Sequence, residues 1–158
     1  MPDPAPARPV DPLAELLIDR FHLDQAPDDA CSLTYSEVAA LASTGGLEQV
    51  IGRLVDDYAK LAAGYDLVII VGSDFTGPTP GTELEFNAEL AANLGAPALP
   101  VVGAAGMPST RVPAAVAETA RVLASQGCAV VATVVSRVAP GQVEQVRATA
   151  IQAQTLPR

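Results

Sequence analysis

Histidine, lysine and cysteine are scarce in this 158-residue chain, which has one histidine (His22), one lysine (Lys60) and two cysteines (Cys31 and Cys128). With no Cys-x-x-Cys pair, no Cys/His grouping and a single imidazole, it lacks the ligand set of a structural zinc site. Any chemistry that needs a lysine must use Lys60. Only 9 Lys and Arg face 18 Asp and Glu, for a net charge of −9. Polyphosphate backbones and anionic lipid surfaces bind clustered cations, so this balance excludes nucleic acid and membrane as partners. No apolar run approaches the roughly 20 residues of a membrane-spanning helix. The Pro-rich start, Met1 to Pro12, has neither the basic nor the apolar segment of a secretory leader. These absences predict a cytoplasmic protein with reduced thiols.

What is present is a 49% apolar chain, long enough to bury roughly 70% of its unfolded surface and so hold a core without disulfides or metal. Residues 1–10 read as a disordered Pro-rich tail. Asp11 before Pro12 is an N-cap with proline at the first helical position, and Leu13, Leu16, Leu17 and Phe21 then recur on one helix face. Thr34-Tyr35-Ser36-Glu37 has the capping-box spacing, which predicts a short helix to about Ala42, ended by Ser43 to Gly46. From Leu47 a stripe of Val50, Ile51, Leu54, Val55, Tyr58 and Leu61 predicts a longer helix closed by Gly64.

Leu67 to Val71 is a continuous apolar run of the kind that forms a strand buried on both faces of a parallel sheet. The Gly- and Pro-bearing stretch Gly72 to Gly81 predicts a loop. Thr82 then caps a helix carrying Phe86, Leu90 and Leu94, stopped by Gly95. Ala98 to Val102 reads as a second strand, pushed toward an edge or a late start by Pro100. Val112, Val116, Thr119 and Leu123 continue with a helix, Cys128 to Val135 with a third strand, and a last helix follows Pro140. Alternating strands and helices predict an α/β fold with a doubly wound parallel sheet. Ligands bind such sheets at the carboxyl ends of the strands, which directs attention to Gly72–Glu83, Gly103–Thr110 and Ser136–Gly141.

Val71-Gly72-Ser73-Asp74-Phe75-Thr76-Gly77 places a carboxylate and two hydroxyls just past the first strand, where Mg²⁺ or phosphate could be met. A hydrophobic strand ending near an Asp also has the outline of a Walker B element. The same residues equally describe a glycine-bearing turn whose Asp and Ser cap their own backbone. Glu83 and Asn87 share a helix face near its start, so Ser73, Asp74, Thr76, Gly77, Glu83 and Asn87 together form the candidate ligand-binding loop. Glu85 with Glu89, and Asp56 with Asp57, are further acidic pairs for which a solvated helix face is the simpler reading. His22 reads as a capping or surface imidazole and Cys128 as core. Gly-x-Ser-x-Gly and Gly-x-Gly-x-x-Gly are absent. Lys60 lies within a helix and follows no Gly-x-x-x-x-Gly loop, so it cannot serve a Walker A element. Gly103-Ala104-Ala105-Gly106 follows a strand, but Pro108 and the spacing do not fit a nucleotide fingerprint. The residues therefore assign no catalytic group, no resident metal and no cofactor.

The segment Asp66 to Gly95, DLVIIVGSDFTGPTPGTELEFNAELAANLG, closely resembles the N-terminal domain of long bacterial phosphate acetyltransferases, which is itself similar to dethiobiotin synthetase and its P-loop relatives. The resemblance is carried by the apolar strand, the Gly72–Thr76 turn, Thr82-Glu83, Asn87 and the Ala91–Pro97 motif. It is supported by Leu33-Thr34-Tyr35 and Asp57-Tyr58 and runs from about Pro9 to Gln142. It implies a parent enzyme that exchanges phosphate for CoA on an acetyl group, in which this domain serves regulation and assembly and a separate domain does the chemistry. It further implies a P-loop NTPase-like, three-layer, mainly parallel sheet without its first strand. On this reading residues 11–148 are a partial N-terminal-like domain, and 149–158 are a tail similar to the end of the family's catalytic domain.

The expectation is thus a truncated or internally deleted phosphate acetyltransferase homologue, inactive alone, that associates with itself or with a catalytic phosphate acetyltransferase chain. Leu67–Val71 would then have an open edge. The alternative is a free-standing dethiobiotin synthetase-like enzyme using ATP, with Asp74 on the metal. The missing Walker lysine counts against it.

Overall fold

The computed structural model describes residues 11–73 and 80–154 and divides into two compact units between Ile70 and Val71. The first unit is helical, with α1 (Pro12–Phe21), α2 (Pro27–Ala30) and α3 (Tyr35–Ala62). Helix α1 starts as its sequence dictates. Asp11 Oδ1 accepts from the Leu13 and Ala14 amides at 2.8 and 3.0 Å, with Pro12 at the first helical position. It ends at His22, whose φ of 52° turns the chain out of the helix. Helix α2, a single turn, has no side-chain cap and no apolar period to announce it.

Helix α3 opens on the complete capping box. The Glu37 amide donates to Thr34 Oγ1 at 3.3 Å, and the Thr34 amide donates to Glu37 Oε2 at 2.7 Å. At Gly46, φ 72° and ψ −177°, the helical path breaks and resumes, so the expected stop at Ser43–Gly46 is a kink between two nearly continuous helices. That backbone region is open almost only to glycine. Val50 and Ile51 are the buried residues of the stripe that follows.

Leu67–Val71 corrects the sequence reading. The run is extended but lies in no strand, and among the described residues no other backbone group takes its amides or carbonyls. Leu67 and Ile69 are 76% and 80% exposed. The physical reason is that an apolar run becomes a strand only beside another strand, and among the described residues none pairs with this one.

The second unit comprises α4 (Pro80–Leu94), β1 (Val101–Gly103), α5 (Val112–Ser125), β2 (Val134–Ser136), a 3₁₀ turn (Pro140–Gln142) and α6 (Val143–Gln154). Helix α4 starts at Pro80, two residues before the expected cap Thr82, because proline fits a first helical turn without losing a hydrogen bond. It ends in a Schellman-type cap, with Gly95 at φ 63° and the Ala96 amide on Ala91 O at 2.9 Å. Helix α6 runs continuously through residues 148 and 149.

Strands β1 and β2 pair in parallel with Val101 opposite Val134, Val102 opposite Val135 and Gly103 opposite Ser136. A further parallel bridge joins Ala98 to Val130. Three steps on one strand thus face four on the other, a bulge that shortens both strands relative to the expected Ala98–Val102 and Cys128–Val135. Helix α5 is the crossover and packs against α4 on one side and α6 on the other.

Two apolar clusters fill the covered side. One gathers Ala88, Leu123 and Cys128, and the other gathers Ala104, Val112 and Val146 with Val116, Val135 and Val138. Side chains alternate across a strand, so Val135 points into this core while its neighbour Val134 points away. Val134, its partner Val101 and Leu99 are exposed. The α/β class with parallel strands is therefore present, in a described sheet of two strands rather than three. Among the described residues no helix is long and apolar enough to cross a membrane.

Candidate functional site

The candidate loop enters the described structure at both of its ends. Ser73, where Leu67–Val71 and Gly72 lead into the loop, is held by Asn87 on α4. Asn87 Oδ1 accepts from the Ser73 amide and hydroxyl, and Asn87 Nδ2 donates to Ser73 O, each at 3.3 Å. A Cβ on Gly72 would lie 3.0 Å from Asn87 Cγ, so a glycine is what lets the amide side chain come this close. With its oxygen and nitrogen both engaged, Asn87 braces the turn.

Glu83, one helical turn before Asn87, differs in kind. Its residue exposure is 8%, and its Oε2 is buried without a hydrogen-bond partner. An unpartnered buried acceptor costs about 1–3 kcal/mol, and a carboxylate oxygen is satisfied only by a donor or a cation. Ser73, Glu83 and Asn87 thus cluster at the start of α4. Asp74, Thr76 and Gly77 lie outside the described residues.

The other sequence candidates fall into structural roles. His22 is the exposed C-cap of α1, and Cys128 is buried in the core. Glu85 is exposed on α4. Asp57 is more than a solvated acid. Ser32 Oγ donates to its Oδ2 at 2.6 Å, Arg53 Nε reaches the same oxygen at 2.7 Å, and Lys60 Nζ reaches Oδ1 at 3.1 Å. Hydrogen bonding from Arg53 first, then from Ser32, holds the Asp57 carboxyl well below the usual carboxylate range. The helical spacings Arg53–Asp57 and Asp57–Lys60 were readable as ion pairs. The contact with Ser32, 25 residues away, was not. The lone lysine is thereby engaged in structure.

A family profile described as AAA domain matches residues 10–156. The chain belongs to this AAA domain family. It is also similar to a phosphate acetyltransferase of Nitratidesulfovibrio vulgaris, 29% identical over 130 residues that make up 82% of this chain and 18% of that protein. To a phosphate acetyltransferase of Synechocystis it is 30% identical over 133 residues, 84% of this chain and 19% of that protein. The resemblance seen in the sequence is therefore present across most of the chain. The chain spans less than a fifth of the length of these relatives. No solved structure matches it.

Proposed function

We propose that this chain is a non-catalytic regulatory and assembly domain of the phosphate acetyltransferase type, working in the cytoplasm through association with a second copy or with a catalytic phosphate acetyltransferase chain. The observation that carries the assembly role is the state of Leu67–Val71, which is extended, uncharged, exposed and, among the described residues, without backbone partners. Such a run is a template for another strand. Covering each of these side chains is worth roughly 1.5–3 kcal/mol, far more than the polar contacts elsewhere in the first unit. A strand added there completes a three-layer, doubly wound sheet of the P-loop type, as the family likeness implies.

The candidate loop at Ser73, Glu83 and Asn87, with Asp74, Thr76 and Gly77, is on this reading a ligand-responsive element rather than a catalytic one. The phosphate acetyltransferases to which the chain is similar are several times its length, and their reaction is proposed to need parts beyond the region it matches. The test is CoA release from acetyl-CoA and phosphate by the purified chain. The expected rate is background, and turnover that tracks with the protein through purification overturns the non-catalytic reading. Saturable Mg-ATP binding lost in Asp74→Ala would favour a dethiobiotin synthetase-like enzyme instead.

A further inference from the structure

We propose that the carboxyl ends of β1 and β2 form a binding site for a phosphate-type oxyanion, made by Arg137, Arg111 and the free amides of Ala105 and Gly106. Parallel sheets collect ligands at this end of their strands. The two loops that leave the strands are tied together, because the Ala104 amide donates to Ser136 O at 2.8 Å. The first loop is anchored from below. Ala104 and Val112 are buried, and buried Ser109 donates from its hydroxyl to Gln145 Oε1 on α6 at 2.9 Å. Its turn is closed by the Met107 amide on Ala104 O at 3.0 Å, with Gly106 at φ 70°. Between these fixed points, the Ala105 and Gly106 amides find no acceptor among the described residues. They border a surface concavity of 490 Å³ lined by Ala105, Gly106, Met107, Pro108 and Arg111.

Arg137 supplies the second cation, and its backbone shows that the position is imposed. Among the described residues it is one of two non-glycine residues with positive φ, at 57°, a conformation that surrounding structure must hold in place. Its guanidinium lies over the backbone of Gly103, where a Cβ would come within 2.5 Å of Nη2, so only glycine at the end of β1 admits it. In a chain whose acids outnumber its cations two to one, neither Arg137 nor Arg111 has a carboxylate within ion-pairing distance among the described residues. Arg53 and Lys60, by contrast, both engage Asp57. Arg121 and Arg147 stand mid-helix and exposed, without comparable positioning.

A guanidinium fork with loop amides suits a tetrahedral oxyanion. Without a Walker loop or dinucleotide fingerprint the site fits a small anion, either inorganic phosphate or the phosphate of a small monoester. This inference rests on the second unit alone and stands whether or not the assembly reading does.

The test is a titration of the ¹⁵N-labelled full chain, followed by two-dimensional NMR at ionic strength held constant with chloride. One arm uses inorganic phosphate and the other phenyl phosphate. Saturable shifts are expected at the Gly103, Ala105, Gly106 and Arg111 amides and at Arg137 Nε–H. Arg137→Gln should weaken binding about tenfold or more, as loss of a bidentate charged pair implies. Arg111→Gln should weaken it, Gly103→Ala should weaken it by displacing the guanidinium, and Arg121→Gln should leave it unchanged. The spectra themselves show that each variant is folded. The arm that binds more tightly identifies the source of the phosphate group. Absence of saturation in both arms, shifts that survive Arg137→Gln, or equal weakening by Arg121→Gln would overturn the site.

Discussion

Replacing Asp57 by asparagine removes a charge while keeping the side chain's shape, and it isolates what the Ser32–Asp57–Arg53–Lys60 network contributes to the first unit. The Arg53 and Lys60 side chains are 57% and 74% exposed, so each ion pair is screened and contributes about 0.3–0.5 kcal/mol. Ser32 donates to the carboxylate at 2.6 Å from outside α3. A hydrogen bond to a charged group contributes about 1.5 kcal/mol, bringing the network to about 2 kcal/mol. The substituted side chain would still offer Ser32 an amide oxygen, so Asp57→Asn should cost about 1–1.5 kcal/mol, a fall in Tm of about 3–5 °C for a domain of this size.

The chain has no tryptophan, and its three tyrosines, Tyr35, Tyr58 and Tyr65, all lie in the first unit, so tyrosine fluorescence reports on the unit that contains Asp57. The pH dependence has a definite sign. The folded carboxyl is held below its unfolded value, so its stabilisation is fully present above pH of about 4 and is lost as pH falls below that. The gap between wild type and Asp57→Asn should therefore be constant near neutrality and close in acid. A gap under about 0.3 kcal/mol at a pH of about 7, or one that does not change between about pH 7 and about pH 3, would refute the reasoning.

Two backbone predictions can be checked with the same material. Gly46→Ala should destabilise the first unit by about 1–3 kcal/mol in urea unfolding. An added Cβ there meets nothing within 4 Å, so an unchanged midpoint would mean that the kink is not fixed by the glycine. Gly72→Ala should push Asn87 away and cost about 1 kcal/mol or more, with faster hydrogen exchange at the Ser73 amide. In an Asn87→Ala background that cost should largely disappear, and full additivity of the two changes would contradict the bracing role.

What the sequence made legible was local. The Asp11 and Thr34 caps, the break at Gly46 and the Gly95 stop each depend on a few adjacent residues, and each lies where its residue chemistry placed it. The strands were legible in identity but not in extent. Pro100 withholds an amide, and a bulge opposite Ala98–Val101 takes an extra residue, so the regular pairing begins only at Val101 and Val134. Leu67–Val71 was misread because periodicity reports burial preference, whereas a strand also needs a neighbour, which composition does not encode. In the candidate site, Glu83 and Asn87 were visible as one helix face. Their difference in role, one oxygen left unpartnered and one amide fully engaged, depends on a turn 14 residues before Asn87. Arg137 carried no sequence signal, because its significance comes from Gly103, far earlier in the chain and brought alongside only by strand pairing.

The assembly claim is tested most directly by light scattering of the purified chain over a wide concentration range, with Ile69→Lys as the perturbation. Ile69 is 80% exposed, so a lysine there disturbs little packing and the variant should keep its helical signal while losing association. The account predicts a dimer or larger species for the wild type and a shift to monomer for Ile69→Lys. A wild-type chain that stays monomeric at high concentration, both alone and when mixed with a catalytic phosphate acetyltransferase chain, with Ile69→Lys equally stable, would contradict it.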